Sequence, residues 1–390
     1  MGFLSGSVTF ECFRIEGTQP RQFNAEHIEA LHQHAIGKTR SISNEQARVG
    51  FLAGDHILDC DFDLEKNVYG DALHFAVRID TNQVPAAVRR AWLHIELATL
   101  TAESPGRRPT KAQREEAKEA VEARCEEAAR SGQFQRMQQF PILWDAKHGL
   151  LYCGGTSASA GEVCCDLMSK AFDLELRRLS SGKTALEWAI KARRRTALND
   201  AVPANFRDDE PAADVVWWNG EKDNYDFLGN EFLLWLWWRW ETQGDTVQLS
   251  DGSEVTGMFA RTMALECPRG EFGKGTIAAE DPTYLPEAAQ AIRAGKLPRK
   301  AGLILVRQSV QYELTLQAET FAVSGAKIQM DDDAEGREFL ENRIDGVRGL
   351  KQTLNLLFHA FCDRRVGKNW GDDLQQMRGW LKSRPRMRRA

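Results

Sequence analysis

Residues 111–179 constrain the fold more than any other stretch of this chain. A long charged segment, KAQREEAKEAVEARCEEAAR, runs into FQRMQQFPILWDAKHGLLYCGG, and GEVCCDLMSKAFDLELRRL closes the unit. The middle piece predicts a hairpin, with residues 140–144 apolar, 145–149 rich in turn chemistry and 150–153 apolar again. Val163, Leu167, Met168 and Ala171 then fall at helical spacing, and Phe172, Leu174 and Leu176 alternate as in a short strand. A charged helix feeding a small α+β unit without catalytic side chains points to a scaffold that presents a surface.

The charged segment itself has a clear start. The breaker SPGRRP at 104–109 precedes Thr110, a natural N-cap. Glu115, Lys118 and Glu122 are spaced for helical ion pairs. The apolar content (Ala112, Ala117, Ala120, Val121 and Cys125) is small and narrow, so the helix is expected to pack on one side only and to project from the body or bridge it.

The N-terminal part reads as β–α–β–β. Val8, Phe10 and Phe13 sit in a first strand, and 26–36 form a helix with Ile28, Leu31 and Ala35 inward. Strands are expected at 57–64 and 73–79, then a helix entered at Val84–Pro85 and running towards Leu100. Further on, a helix is expected over 184–195, with Leu186 and Ile190 on its apolar side. Residues 199–230 read as an acidic insertion anchored by Val215, Val216, Trp217 and Trp218. EFLLWLWWRWE at 231–241 is too short to span a membrane and apolar on nearly all sides, which favours a core or interface helix over base stacking. The last third predicts strands at 246–249, 255–259, 303–306, 311–316 and 326–328, a turn at Asp251–Ser253, and helices at 285–293 and 336–361.

Composition matters chiefly through charge. The net charge is −5, but the basic residues are segregated. From Arg364 to Ala390 nine basic residues face two acidic ones, and this stretch reads as a basic tail that is dispensable for folding. Further basic runs hold Lys191, Arg193, Arg194 and Arg195, and Arg293, Lys296, Arg299 and Lys300. Acid collects at 208–210, 223–226 and 331–335. Such segregation is the footprint of a polyanion-binding face, and a merely solvated surface is the bland alternative for each run. The opening MGFLSGSVTFECF lacks a secretory pattern, and eight scattered cysteines without CxxC favour unremarkable thiols over disulfides or metal ligands. A cytoplasmic protein is expected.

Catalytic patterns are missing. GEFGKGT at 270–276 lacks P-loop spacing, and CGGTSASAG at 153–161 lacks a nucleophile elbow. Asp331, Asp332 and Asp333 are contiguous and cannot all aim at one metal pair. No catalytic residue, metal site or cofactor is expected, and an enzyme is the minority reading.

With these segments in view, the chain resembles the long form of the recombination-associated RdgC family, bacterial DNA-binding proteins that restrain the RecA recombinase. The resemblance rests on four stretches in the family's order: FQRMQQFPILWDAKHGLLYCGG with its helix, EFLLWLWWRWE, AAQAIRAGKLPRKAGLIL with the strand pair around Tyr312–Leu316, and EGREFLENRIDGVRGLKQTLNLLFHAF. It implies a curved, multi-lobed α+β subunit of antiparallel sheets with flanking helices that pairs into a ring around DNA. The corresponding parts are a centre region at 1–84, a base region at 85–180, connecting helices with the insertion at 181–241, a tip region at 242–362 and the basic tail at 363–390. Phe134 matches the family's aromatic at the base-side dimer contact, and Arg136 a basic position facing the DNA channel. The family's polar pair at the tip-side contact has no clear counterpart here.

The expected function is therefore non-enzymatic and sequence-independent: a nucleoid-associated homodimer that encircles duplex DNA and limits recombinase access. Arg136, Arg193, Arg194, Arg195, Lys296, Arg299 and Lys300 are the candidate phosphate contacts, since encirclement needs phosphate-directed cations rather than base readout. The alternatives are a metal-dependent nucleic-acid-processing enzyme, told apart by a nuclease assay, and an RNA- or partner-binding scaffold anchored through the tryptophans. No membrane partner is expected.

Overall fold

Strand β1 (Val8–Glu16) ties the whole molecule together, because its two ends belong to different half-sheets. The computed structural model describes residues 2–38, 47–102, 108–206, 223–268, 273–280, 282–284, 286–329 and 334–383. After β1 come α1 (Ala25–Gln33), β2 (Ala47–Leu52), α2 (Leu64–Asn67), β3 (Val68–Tyr69) and β4 (Ala72–Thr81). The helices α3 (Ala86–Leu100) and α4 (Lys111–Ser131) follow, then β5 (Arg136–Asp145), β6 (Leu150–Cys153), α5 (Ala158–Phe172) and β7 (Glu175–Arg178). The C-terminal half opens with α6 (Ser181–Lys191), α7 (Arg195–Asn199) and α8 (Phe227–Thr242), then β8 (Thr246–Gln248), β9 (Glu254–Glu266) and β10 (Gly275–Ala278). It ends with α9 (Pro286–Arg293), β11 (Leu297–Arg307), β12 (Val310–Gln317), β13 (Val323–Gln329), α10 (Gly336–Arg365) and α11 (Trp370–Lys382).

The fold is α+β, and its thirteen described strands form one antiparallel sheet. The main path runs β10-β9-β11-β12-β13-β1-β6-β5-β4-β2. Val8 and Phe10 pair with β13, while Glu11 to Glu16 pair with β6 and β7. β4 pairs with β5 over ten residues, from Ala72↔Asp145 to Thr81↔Arg136, so the centre and base regions share one hydrogen-bonded sheet across the 84/85 division.

Side-chain alternation along these strands explains why there are two cores. In the N-terminal half Phe13, Phe75, Val77, Ile142, Trp144 and Leu151 face α1 and α5 and form one cluster. The other face of β1, with Phe10 and Cys12, joins a second cluster that continues through Leu303, Leu314 and Val323 to α8 and α10. The helices thus cover opposite faces of the sheet in its two halves. Only the C-terminal half leaves its other face uncovered, because Ala72, His74, Leu143 and Tyr152 are buried on the second face of the N-terminal half.

The tryptophan-rich segment is the centre of the second core. Every residue of α8 from Phe227 to Trp238 is buried, including Trp235, Trp237 and Trp238. Each fully buried Leu or Phe there contributes roughly 1.5–3 kcal/mol. Gly229 lets α8 touch the sheet directly: a Cβ at this position would lie 1.8 Å from the Ala318 carbonyl oxygen.

Several expectations are corrected. Residues 57–64 do not form a strand; the strand beside β4 is β2. The acidic side chains of 55–63 prefer local bonds, since the Asp59 carboxylate accepts from the amides of Asp55 and Asp61 and from Lys66. Phe172 ends α5 instead of opening the strand, which begins at Glu175. The helix expected over 184–195 is two helices broken at Arg193, whose φ is 56°. Its inward side is Ala185, Trp188 and Ala189, and Ile190 is exposed.

The basic tail is also corrected. Residues 370–382 form α11, whose Trp370, Leu374, Met377 and Leu381 recur at helical spacing and pack on the second core. Arg364 grips Asp373, and Arg378 donates to the Asn205 carbonyl at 2.6 Å, so these cations hold the helix in place. The acidic run at 208–210, the anchor at 215–218, residues 331–333 and the arginines of 384–389 lie outside the described residues.

Candidate nucleic-acid interface

The uncovered face of the C-terminal half-sheet gathers cations. Leu303, Leu305, Leu314 and Leu316 turn inward, so their neighbours Lys300, Ile304, Glu313, Thr315 and Gln317 face outward. Register places Lys300 opposite Gln317, Gly302 opposite Thr315, and Glu313 opposite Lys327. Arg261 enters the same patch through an irregular stretch of β9, where its φ is 64°, and pairs with Glu313. Lys327 lies 3.9 Å from the same carboxylate. Two cations therefore flank one carboxylate, and Lys300 stands on the same face four residues further along β11, among neutral hydrogen-bonding side chains. That combination can accept phosphate oxygens without reading bases.

Of the expected contacts, Lys300 is in this patch. Arg136 opens β5 and is exposed. Alternation puts it on the same side of the sheet as Lys300, but five strands across and, by register, six residues further along, so the two are not neighbours. Arg193, Arg194 and Arg195 are exposed at the α6–α7 junction, on helices that cover the other side. Arg194 approaches Asp363 at 3.9 Å. Lys296 donates to the Gly273 carbonyl at 2.8 Å. Arg299 lies between Glu266, at 2.8 Å, and Glu319, so its charge is neutralised within the fold. The seven residues are thus spread over separate places.

Arg261 escaped the sequence reading because β9 was expected to end at 259, and Lys327, although inside the expected strand at 326–328, stands alone there and belongs to no basic run. Alternation of Val255, Phe259 and Met263 would extend β9 but would turn Arg261 inward, and only the irregular stretch at its φ of 64° brings it to the open face.

Phe134 sits at the base of a helical hairpin made by α3 and α4. It is half-buried and meets Trp92 edge-on, with ring centroids 6.2 Å apart, and Arg124 lies 4.5 Å over the same indole. The expectation that its surroundings offer no intrachain partner is therefore corrected. α3 buries none of its residues fully, although it carries Val88, Trp92, Leu93, Ile95 and Leu97, and Ile95 is 53 % exposed.

Buried ionisable groups elsewhere serve the fold. Glu11 is buried beside Arg178 at 3.2 Å, and burial pushes its carboxyl up to about 7 against the pull of that cation. Burial lowers His74 to about 4. All eight cysteines are free thiols.

No helix among the described residues is long and apolar enough to cross a membrane. No family model and no curated protein matches the chain.

Proposed function

We propose that this protein binds duplex DNA through its phosphates, without sequence preference and without catalysis. The observation that supports the reading best is the uncovered half-sheet face that carries Arg261 and Lys327 beside Glu313, with Lys300 further along β11. Arg136, on the same side of the sheet beyond α1 and α5, and the Arg193–Arg195 corner would be separate contacts. Phosphate-directed cations spread over a broad surface suit a protein that holds DNA rather than reads it.

A homodimeric ring that restricts recombinase access is the fuller form of the proposal, and it rests on the resemblance to the RdgC family. The unburied apolar side of α3, next to Trp92 and Phe134, is in keeping with a partner there. Light scattering with linear and covalently closed circular duplexes of equal length tests it. A dimer that leaves the circle more slowly than the linear duplex is expected. A monomer that releases both at the same rate overturns encirclement.

A further inference from the structure

Helices α8, α9 and α11 line a cleft of about 460 Å³ that is open to solvent on one side. Trp237 and Glu241 line it from α8, Ile292 and Arg293 from α9, and Trp380 and Leu381 from α11. This volume is in the range of cavities that hold small ligands, and the wall combines apolar surface from Trp237, Ile292, Trp380 and Leu381 with polar groups.

We propose that this cavity binds a small organic cation, an amidinium, guanidinium or primary ammonium group on a flat apolar body, with Glu241 as its counter-ion. The carboxylate is oriented before any ligand arrives. Trp237 Nε1 donates to Glu241 Oε1 at 2.6 Å, and Trp380 Nε1 donates to Oε2 at 2.9 Å. Each oxygen keeps acceptor capacity beyond its indole bond, and a forked N–H donor matches two such oxygens.

The carboxylate also lacks a cation of its own. Glu241 makes no ion pair among the described residues, and the other charged residue lining the cavity, Arg293, donates instead to the Ser383 carbonyl at 3.0 Å. Partial desolvation raises the Glu241 carboxyl above the ordinary glutamate range despite both indole bonds, although much of the residue stays exposed to solvent. An incoming cation would supply that charge and meet the Trp380 ring, where cation–π attraction adds to the pair. A neutral or anionic ligand of the same shape gains neither. The site lies apart from the basic sheet face, so its occupancy and DNA binding are separate properties.

Calorimetric titration of the full chain with benzamidine, and with its neutral analogue benzamide, tests the proposal. Benzamidine is expected to bind at least about tenfold more tightly, a difference of about 1.4 kcal/mol. Glu241→Gln, which keeps an acceptor for one indole, should reduce benzamidine to the level of benzamide. Should that variant fail to fold, Ala289→Trp fills the cavity from α9 with Glu241 intact and should abolish binding of both compounds. Equal affinity for the two compounds, no benzamidine binding at millimolar concentration, or full binding by Ala289→Trp would each overturn the assignment.

Discussion

Arg365 Nε and Glu231 Oε2 lie 2.5 Å apart in a buried ion pair that fastens α10 to α8. Both charges have further partners. Arg365 also donates to the Val202 carbonyl at 2.7 Å and stacks on Trp370, and Glu231 Oε1 accepts the Ala204 amide at 2.6 Å. Removing either partner strands the other charge in the core. Arg365→Leu or Glu231→Gln is therefore expected to cost about 3–5 kcal/mol in urea unfolding. The double substitution should cost clearly less than the sum of the two. Additive losses would show that the pair is not coupled.

The C-terminal helix makes the second prediction. Met377 is fully buried, and Met377→Ala should cost about 2–5 kcal/mol in the same assay. Ending the chain after Val366 removes α11 from the faces of Trp237 and Phe361 and should give aggregated or much less stable protein. A soluble truncation with unchanged melting temperature would mean that α11 contributes nothing to the fold.

These two cases show what the sequence could and could not reveal. The hairpin at 136–153, the capped helix at 111–131 and the buried α8 were legible because local chemistry and long-range packing agree there. α11 was missed because its nine-to-two basic surroundings drew attention from the spacing of Trp370, Leu374, Met377 and Leu381. The patch of Arg261, Lys300 and Lys327 was largely hidden: three strands bring it together, and strand register is not written in any one of them. Arg299 looked like its neighbour Lys300 in sequence, and only the fold shows Glu266 and Glu319 beside it.

Acid should destabilise the protein through its buried histidines. His74 and His359 are both lowered by burial from 6.5 to about 4, and Lys351 and Lys191 add to the effect at His359. A group whose folded pKa is depressed contributes stability that is present above its unfolded pKa and lost as pH falls through the folded one. For His74 the loss between pH 6.5 and 4 amounts to about 3 kcal/mol. Glu11 opposes this, because its pKa is raised from 4.5 to about 7 and its contribution grows as pH drops through that window. With two histidines against one glutamate, the urea midpoint should fall on acidification from pH 6.5, and His74→Leu should flatten the slope. A slope unchanged by that substitution would show that His74 is not the titrating group.

Phe134 tests the proposed dimer. Phe134→Ala leaves Trp92 without its edge-on partner and should weaken association by about 2–4 kcal/mol, with little change in melting temperature. Sedimentation across a concentration series reads the shift towards monomer. A variant that stays dimeric at low micromolar concentration while its thermal stability collapses would make Phe134 a core residue of its own subunit.

Salt dependence of duplex binding tests the central claim most directly. With about four phosphates engaged by each subunit of a dimer, log K against log salt should fall with a slope of roughly −7, independent of sequence. Lys300→Ala and Lys327→Ala should each make the slope shallower by about 1 per subunit. A slope near zero, or a strong preference for one DNA sequence, would contradict the account.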